Sequence, residues 1–163
     1  MNDKFTVQEI IEIAIEIEKN GEEFYRIMAE SSNTVPLRDL FNYLSAEENK
    51  HKQKFAEILK SAGGYQISDI YYATEYMGYM KAIADERVFT KDVSYIDLAR
   101  ELASPKQAID VAIAFEKDTI IFLHEMLDMF DQYEKSAIEQ LLAEERMHIR
   151  KLAELKRDMR LET

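Results

Sequence analysis

From Ile138 to Met159 the apolar residues recur at alternating intervals of three and four, and Ile138, Leu141, Leu152, Leu155 and Met159 fall on one seam with Glu145 and His148. That spacing predicts a long helix with one buried face, yet two of its seven seam positions are ionisable. The same figure appears earlier as Leu37, Leu40 or Phe41, Leu44, Glu48, His51, Phe55 and Ile58. Burying a carboxylate and an imidazole in such a seam costs several kcal/mol unless something compensates them, and a divalent cation uses both at once. Glu145 and His148 stand three residues apart, so their side chains leave one helix face about 5–6 Å apart at Cβ, within reach of a single ion.

The pattern repeats along the chain. Leu44-Ser45-Ala46-Glu47-Glu48-Asn49-Lys50-His51 precedes Leu141-Leu142-Ala143-Glu144-Glu145-Arg146-Met147-His148 by 97 residues and matches it at Leu, Ala, Glu, Glu and His. Two further stripes, each with one acid inside it, precede these seams. The first runs Ile10, Ile11, Ala14, Ile17, Gly21, Phe24, Tyr25, Met28 and contains Glu18; the second runs Ala108, Val111 or Ala112, Phe115, Thr119, Phe122, Leu123, Met126 and contains Glu116. At an offset of 98, Ala14, Ile15, Glu18, Lys19, Phe24 and Met28 align with Ala112, Ile113, Glu116, Lys117, Phe122 and Met126. The chain is therefore two copies of a helical hairpin, each supplying a Glu from its first helix and a Glu-x-x-His from its second.

Helix signals bound these elements at about 6–32, 36–62, 105–130 and 134–161. Thr6 with Glu9 forms a capping box, Thr34 caps the second helix with Pro36 in its first turn, Ser104 and Pro105 open the third, and Asp131 with Glu134 opens the fourth. Gly63-Gly64 offers a left-handed stop to the second helix. Between the hairpins, about 65–104, lies a crossover with helical spacing near 68–87 and many aromatics (Tyr71, Tyr72, Tyr76, Tyr79), read as packing of the connection. The expected architecture is one all-α domain over residues 1–163: an antiparallel four-helix bundle of two hairpins joined by a long, partly helical crossover.

Composition narrows the chemistry. With 163 residues the chain suits one domain with a real core. Zero Cys excludes a disulfide framework, a Cys-based zinc site and a cysteine-ligated iron–sulfur centre, and fits a reducing cytoplasm. A formal charge of −11 argues against nucleic-acid binding. Residues Met1 to Lys4 do not lead into an apolar run, and Glu12 and Glu16 interrupt the apolar stretch from Ile10 to Ile17, so neither a signal peptide nor a membrane span is expected. Four carboxylates offset two divalent cations, leaving a neutral group that a core can hold. Hard carboxylates with one imidazole per ion suit iron or manganese, and zinc also binds such sites.

Six such residues on four helices resemble the site of the rubrerythrin-like branch of the ferritin-like di-iron superfamily, in which Glu18, Glu48, His51, Glu116, Glu145 and His148 are the matching positions. The resemblance implies a ferritin-like fold, two iron ions bridged by Glu48 and Glu145, and completion of one position by Glu18 with His51 and of the other by Glu116 with His148. It further implies an oxidoreductase that reduces peroxide or dioxygen at a non-haem di-iron centre, with no side-chain nucleophile. Electrons then come from an external donor protein, because the chain has no cysteines for a rubredoxin-type module. Tyr25 matches a family Tyr that donates a hydrogen bond to a ligand carboxylate of a neighbouring helix. Thr119 stands where rubrerythrins carry an additional acid, and Leu123 occupies the repeat position of Tyr25, so the two metal positions have unlike surroundings. An iron-oxidising storage protein, or a metal-binding protein without turnover, is the alternative. Asn49 replaces the haem-ligating Met of bacterioferritins, and the crossover is longer than a ferritin subunit needs. The aromatic crossover makes a homodimer the expected assembly. His124 lies off the stripe and is read as a surface or interface residue.

Overall fold

The computed structural model describes residues 7–62, 78–80, 82–83, 97–98, 101–102, 104–130 and 132–161. Four long helices account for most of these: α1 (Val7–Ser31), α2 (Val35–Ala62), α3 (Pro105–Met126) and α4 (Gln132–Leu161), with a 3-10 turn at Leu127–Met129 between the last two. No strand occurs among the described residues. The expected capping box at Thr6, the stop at Gly63-Gly64, the Asp131 cap and most of the 68–87 segment lie outside the described residues.

Local chemistry sets the helix ends. At the start of α3, Ser104 takes an extended backbone conformation and its hydroxyl accepts a hydrogen bond from the Gln107 N–H, while Pro105 fills a position whose N–H would have no helical partner. At the end of α1 the hydroxyls of Ser31 and Ser32 donate back to the carbonyls of Ile27 and Met28, and the chain turns into α2 within three residues. So short a turn makes α1 and α2 antiparallel neighbours. Side chains also tie this hairpin together: Ser45 Oγ donates to the Glu22 carbonyl at 3.0 Å, and the Glu22 carboxylate accepts from Asn49 at 2.7 Å and Lys52 at 2.5 Å.

Helix α1 packs along α2, α3 packs along α4, and the hairpins meet chiefly through α2 and α4, with a lighter contact between α1 and α3. The register of α2 against α4 can be followed through side-chain pairs. Ser61 donates to Glu134, His51 bonds to Glu144, and Lys151 sits over the ring of Tyr43, so the partner's number rises as that on α2 falls. The two helices therefore run antiparallel, which fits a pseudo-twofold axis perpendicular to the bundle.

The core is not continuous. One apolar cluster joins Val7 to Ile17 of α1 with Phe55, Ile58, Phe122, Met126, Ile138 and Leu142, and also takes in Met80 of the crossover. A second joins Phe24, Met28, Phe41, Leu44, Ala112 and Leu152. Each helix leaves both clusters over the same short interval, between Ile17 and Phe24, Leu44 and Phe55, Ala112 and Phe122, and Leu142 and Leu152. That shared gap is where the bundle buries two imidazoles and four of its carboxylates.

Candidate metal centre

All six residues singled out by the repeat fall in this gap, and all are buried: Glu18, Glu48, His51, Glu116, Glu145 and His148. Each occupies a seam position that faces the bundle axis, which is why helical periodicity alone found them. Their ligating atoms form two overlapping groups, each confined within 4.8 Å: Glu18, Glu48, His51 and Glu145 in one, and Glu48, Glu116, Glu145 and His148 in the other. Glu48 and Glu145 belong to both.

The individual contacts explain that overlap. Glu145 turns Oε1 to His51 Nδ1 at 2.7 Å and Oε2 to His148 Nδ1 at 3.0 Å. Glu48 likewise divides its oxygens, with Oε2 at 3.5 Å from His51 Nδ1 and Oε1 at 3.6 Å from His148 Nδ1. Of the two imidazoles, Glu18 approaches His51, at 3.6 Å, and Glu116 approaches His148, also at 3.6 Å. The imidazoles stack nearly parallel with centroids 5.4 Å apart. Two acids thus span both halves of the layer and two serve one half each.

Protein groups alone do not satisfy this layer. Among the described residues, both oxygens of Glu18, Nδ1 of His51, Oε1 of Glu145 and Nε2 of His148 are buried without a hydrogen-bond partner, the 2.7 Å approach of His51 Nδ1 to Glu145 Oε1 lacking the alignment of a hydrogen bond. Each such group costs about 1–3 kcal/mol. Proton affinities are displaced accordingly. Burial, with Glu48 and Glu145 close by, holds the Glu18 carboxyl well above the usual range. Burial and the Glu145 charge push Glu116 up to about 8. Burial opposes charge on both imidazoles, but Glu145, Glu18 and Glu48 hold His51 far above an ordinary histidine, and Glu116 with Glu145 pushes His148 up to about 10. Burial also opposes ionisation of Glu145, yet the closeness of Glu116, His148 and His51 keeps its pKa below the normal value. The raised proton affinities express crowded negative charge that divalent cations would neutralise, and four carboxylates with two imidazoles are a donor set that fits two such ions.

Other residues support the layer. The Tyr25 hydroxyl is buried and donates to Glu116 Oε1, across from α1 to α3. Its ring stacks on Phe41, so the donor is held by packing as well. Leu123, its counterpart in the repeat, lies in the opposite apolar cluster and bears no polar atom. Thr119 is buried, whereas His124 is exposed and its Nε2 accepts from Arg146 at 3.1 Å. Two contributors escaped the sequence reading. Glu144, next to Glu145, bonds His51 Nε2 at 2.9 Å, and the doubled Glu of both octets was the available signal. Gly21 gives Glu48 its room: a Cβ there would stand 3.3 Å from Glu48 Cγ. A Gly→Ala change in a helix interior is ordinarily favourable by about 1 kcal/mol. Gly21→Ala is instead expected to weaken cation binding about 10-fold, with the thermal stability of the metal-free protein little changed. Metal titration and thermal unfolding of the variant check this together.

Four antiparallel helices built from two hairpins, with a buried carboxylate–imidazole layer at mid-height, define a ferritin-like four-helix bundle. The chain belongs to the rubrerythrin family, whose profile matches residues 9–156. The fold is similar to the crystal structure of a protein from Thermotoga maritima described as a ferritin-like diiron-carboxylate protein, with 23% identity, a TM-score of 0.71, and coverage of 98% of this chain and 99% of that one. No curated protein matches the chain. None of the described helices is long and apolar enough to cross a membrane.

Proposed function

We propose that this protein is a di-iron carboxylate oxidoreductase that reduces peroxide or dioxygen, with Glu18, Glu48, His51, Glu116, Glu145 and His148 as the metal ligands. The observation that carries this reading is the sharing of Glu48 and Glu145 by two four-residue groups, each with its ligating atoms within 4.8 Å. A carboxylate that directs one oxygen to each half of a site is placed to bridge two ions, whereas Glu18 and Glu116 are each placed for one. Membership of the rubrerythrin family and the fold shared with a diiron-carboxylate protein favour iron over manganese or zinc.

When bound, a pair of ferrous ions supplies two electrons, one from each, to an oxidant. The chain's own part is to hold that chemistry in place and away from competing groups. Burial of all six side chains excludes bulk water, and all six donors are carried by the four long helices. Tyr25 keeps its proton at Glu116 Oε1, because burial and the neighbouring carboxylates raise its pKa well above that of a free phenol. These 163 residues contain no cysteine to hold an iron–sulfur relay, so on this reading the electrons would be supplied by a redox group outside them. A cytoplasmic homodimer is the assembly that goes with this reading.

Anaerobic loading with ferrous iron, followed by stepwise peroxide, tests the proposal. About one peroxide should be consumed for every two ferrous ions, and the oxidised centre should be restored by an added reductant for further rounds. Loading without oxidation by either peroxide or dioxygen would reject the reaction and leave a binding protein. Continued uptake of many irons per chain, with a large cage in a sizing experiment, would instead indicate storage.

A further inference from the structure

We infer that the two cation positions of this site are unequal by construction: the Glu18–His51 position binds first and tightly, and the Glu116–His148 position binds second and releases its ion more easily. The inference rests on the reading of the six residues as ligands and concerns what surrounds each half.

The first difference lies behind the imidazoles. On the His51 side the ring is braced, with Nδ1 turned to the carboxylate layer and Nε2 held by Glu144 at 2.9 Å. A carboxylate on the outer nitrogen fixes the tautomer and orientation of a ligating histidine and makes it a stronger donor. The antiparallel register of α2 and α4 offers His148 the same device. One helical turn from the His51–Glu144 pair, moving in opposite directions along the two helices, the facing positions are Glu47 and His148. Yet Glu47 is engaged elsewhere, by the ammonium of Lys50 at 2.5 Å. The His148 Nε2 is left buried with no partner, and what stands near the ring is Tyr43, perpendicular to it at 6.2 Å between centroids. In the repeat, Lys50 corresponds to Met147, which cannot capture Glu144 in this way.

The second difference lies in the terminal carboxylates. Both oxygens of Glu18 are free of protein hydrogen bonds and available to one ion. Glu116 has Oε1 occupied by the Tyr25 hydroxyl, which draws charge from the carboxylate and leaves it a weaker donor. The brace on one imidazole and the encumbrance on the opposite acid act in the same direction, because they sit on different halves. Glu144 and Lys50 are therefore positioning residues: neither lies among the six, and each acts through the side chain that it holds.

Anaerobic titration of the full-length metal-free protein with cobalt(II) against a competing chelator, followed by visible absorption, tests this without reference to activity. The wild type is expected to fill in two steps whose dissociation constants differ about 10-fold or more, the range that a histidine's outer partner typically controls. Glu144→Ala should weaken the first step about 10- to 100-fold and leave the second in place. Lys50→Ala, an exposed change that frees Glu47 for His148, should tighten the second step about 10-fold and narrow the gap. Two equal steps in the wild type, or steps that neither substitution moves, would overturn the inference and leave the two-cation reading intact. Failure to bind cobalt at all, or binding that Glu145→Ala does not touch, would overturn that reading and this inference with it.

Discussion

Replacing Glu145 with alanine is expected to cost the protein both cations. Glu145 is fully buried, and its oxygens point to different imidazoles, at 2.7 and 3.0 Å, so one deletion removes a donor from each half of the site. Its removal also takes away the charge on which neutrality of the group depends: three carboxylates cannot offset two divalent ions in a buried layer. The content of anaerobically reconstituted protein, measured by elemental analysis, should fall from about two ions per chain to fewer than about one. Glu145→Gln, which keeps the volume and removes the charge, should show the same loss and separates ligation from packing. Glu139→Ala, on the exposed side of the same helix, should retain both ions. Full loading of the Glu145 variants would take this residue out of the bridge.

Removing the metal should have the next largest effect, with a sign set by pH. Ligands that bind only the folded state stabilise it by about 4 kcal/mol per site when free metal exceeds Kd about 1,000-fold. For a domain of this size that corresponds to a rise in Tm of the order of 10 °C or more. In the metal-free protein Glu116 is raised from 4.5 to about 8 and His148 from 6.5 to about 10. Both groups therefore hold protons more tightly when folded. Their contribution is complete below the unfolded values and is lost as pH rises through the folded ones, so metal-free stability should decline between about pH 5 and pH 10. Glu145, whose pKa is lowered, acts in the opposite sense only below its unfolded value of 4.5, outside that window. Cations displace the same protons, so their affinity should increase with pH and widen the difference in Tm between loaded and chelated protein. Calorimetry at pH 6 and pH 9, with and without chelator, measures this. A difference that narrows at pH 9 would contradict the assignment of the protons.

Much of the site was legible in one dimension because an α-helix converts spacing into a face. Glu48, His51, Glu145 and His148 stood out as ionisable residues in apolar slots, and the offsets of 97 and 98 residues added Glu18 and Glu116. The supporting groups left weaker traces. Glu144 reads as one more surface acid on a strongly acidic chain, and only the closeness of α2 and α4 reveals its bond to His51. Gly21 reads as a gap in an apolar stripe until its contact with Glu48 gives the reason for the missing side chain. Tyr25 is intermediate: its place on the stripe was evident, but the carboxylate it serves belongs to another helix.

The sequence by itself determined the four helices, their pairing into two hairpins and the residues that face inward, since each follows from local periodicity, capping and repetition. Only the tertiary structure decided how the inward residues divide. Which carboxylates span both halves, which imidazole is braced from behind, and that Glu47 turns to Lys50 while Glu144 turns to His51 all depend on the register between α2 and α4. Register is a property of two helices in contact, set by interlocking side chains far apart in the chain, and no pattern along a single helix encodes it.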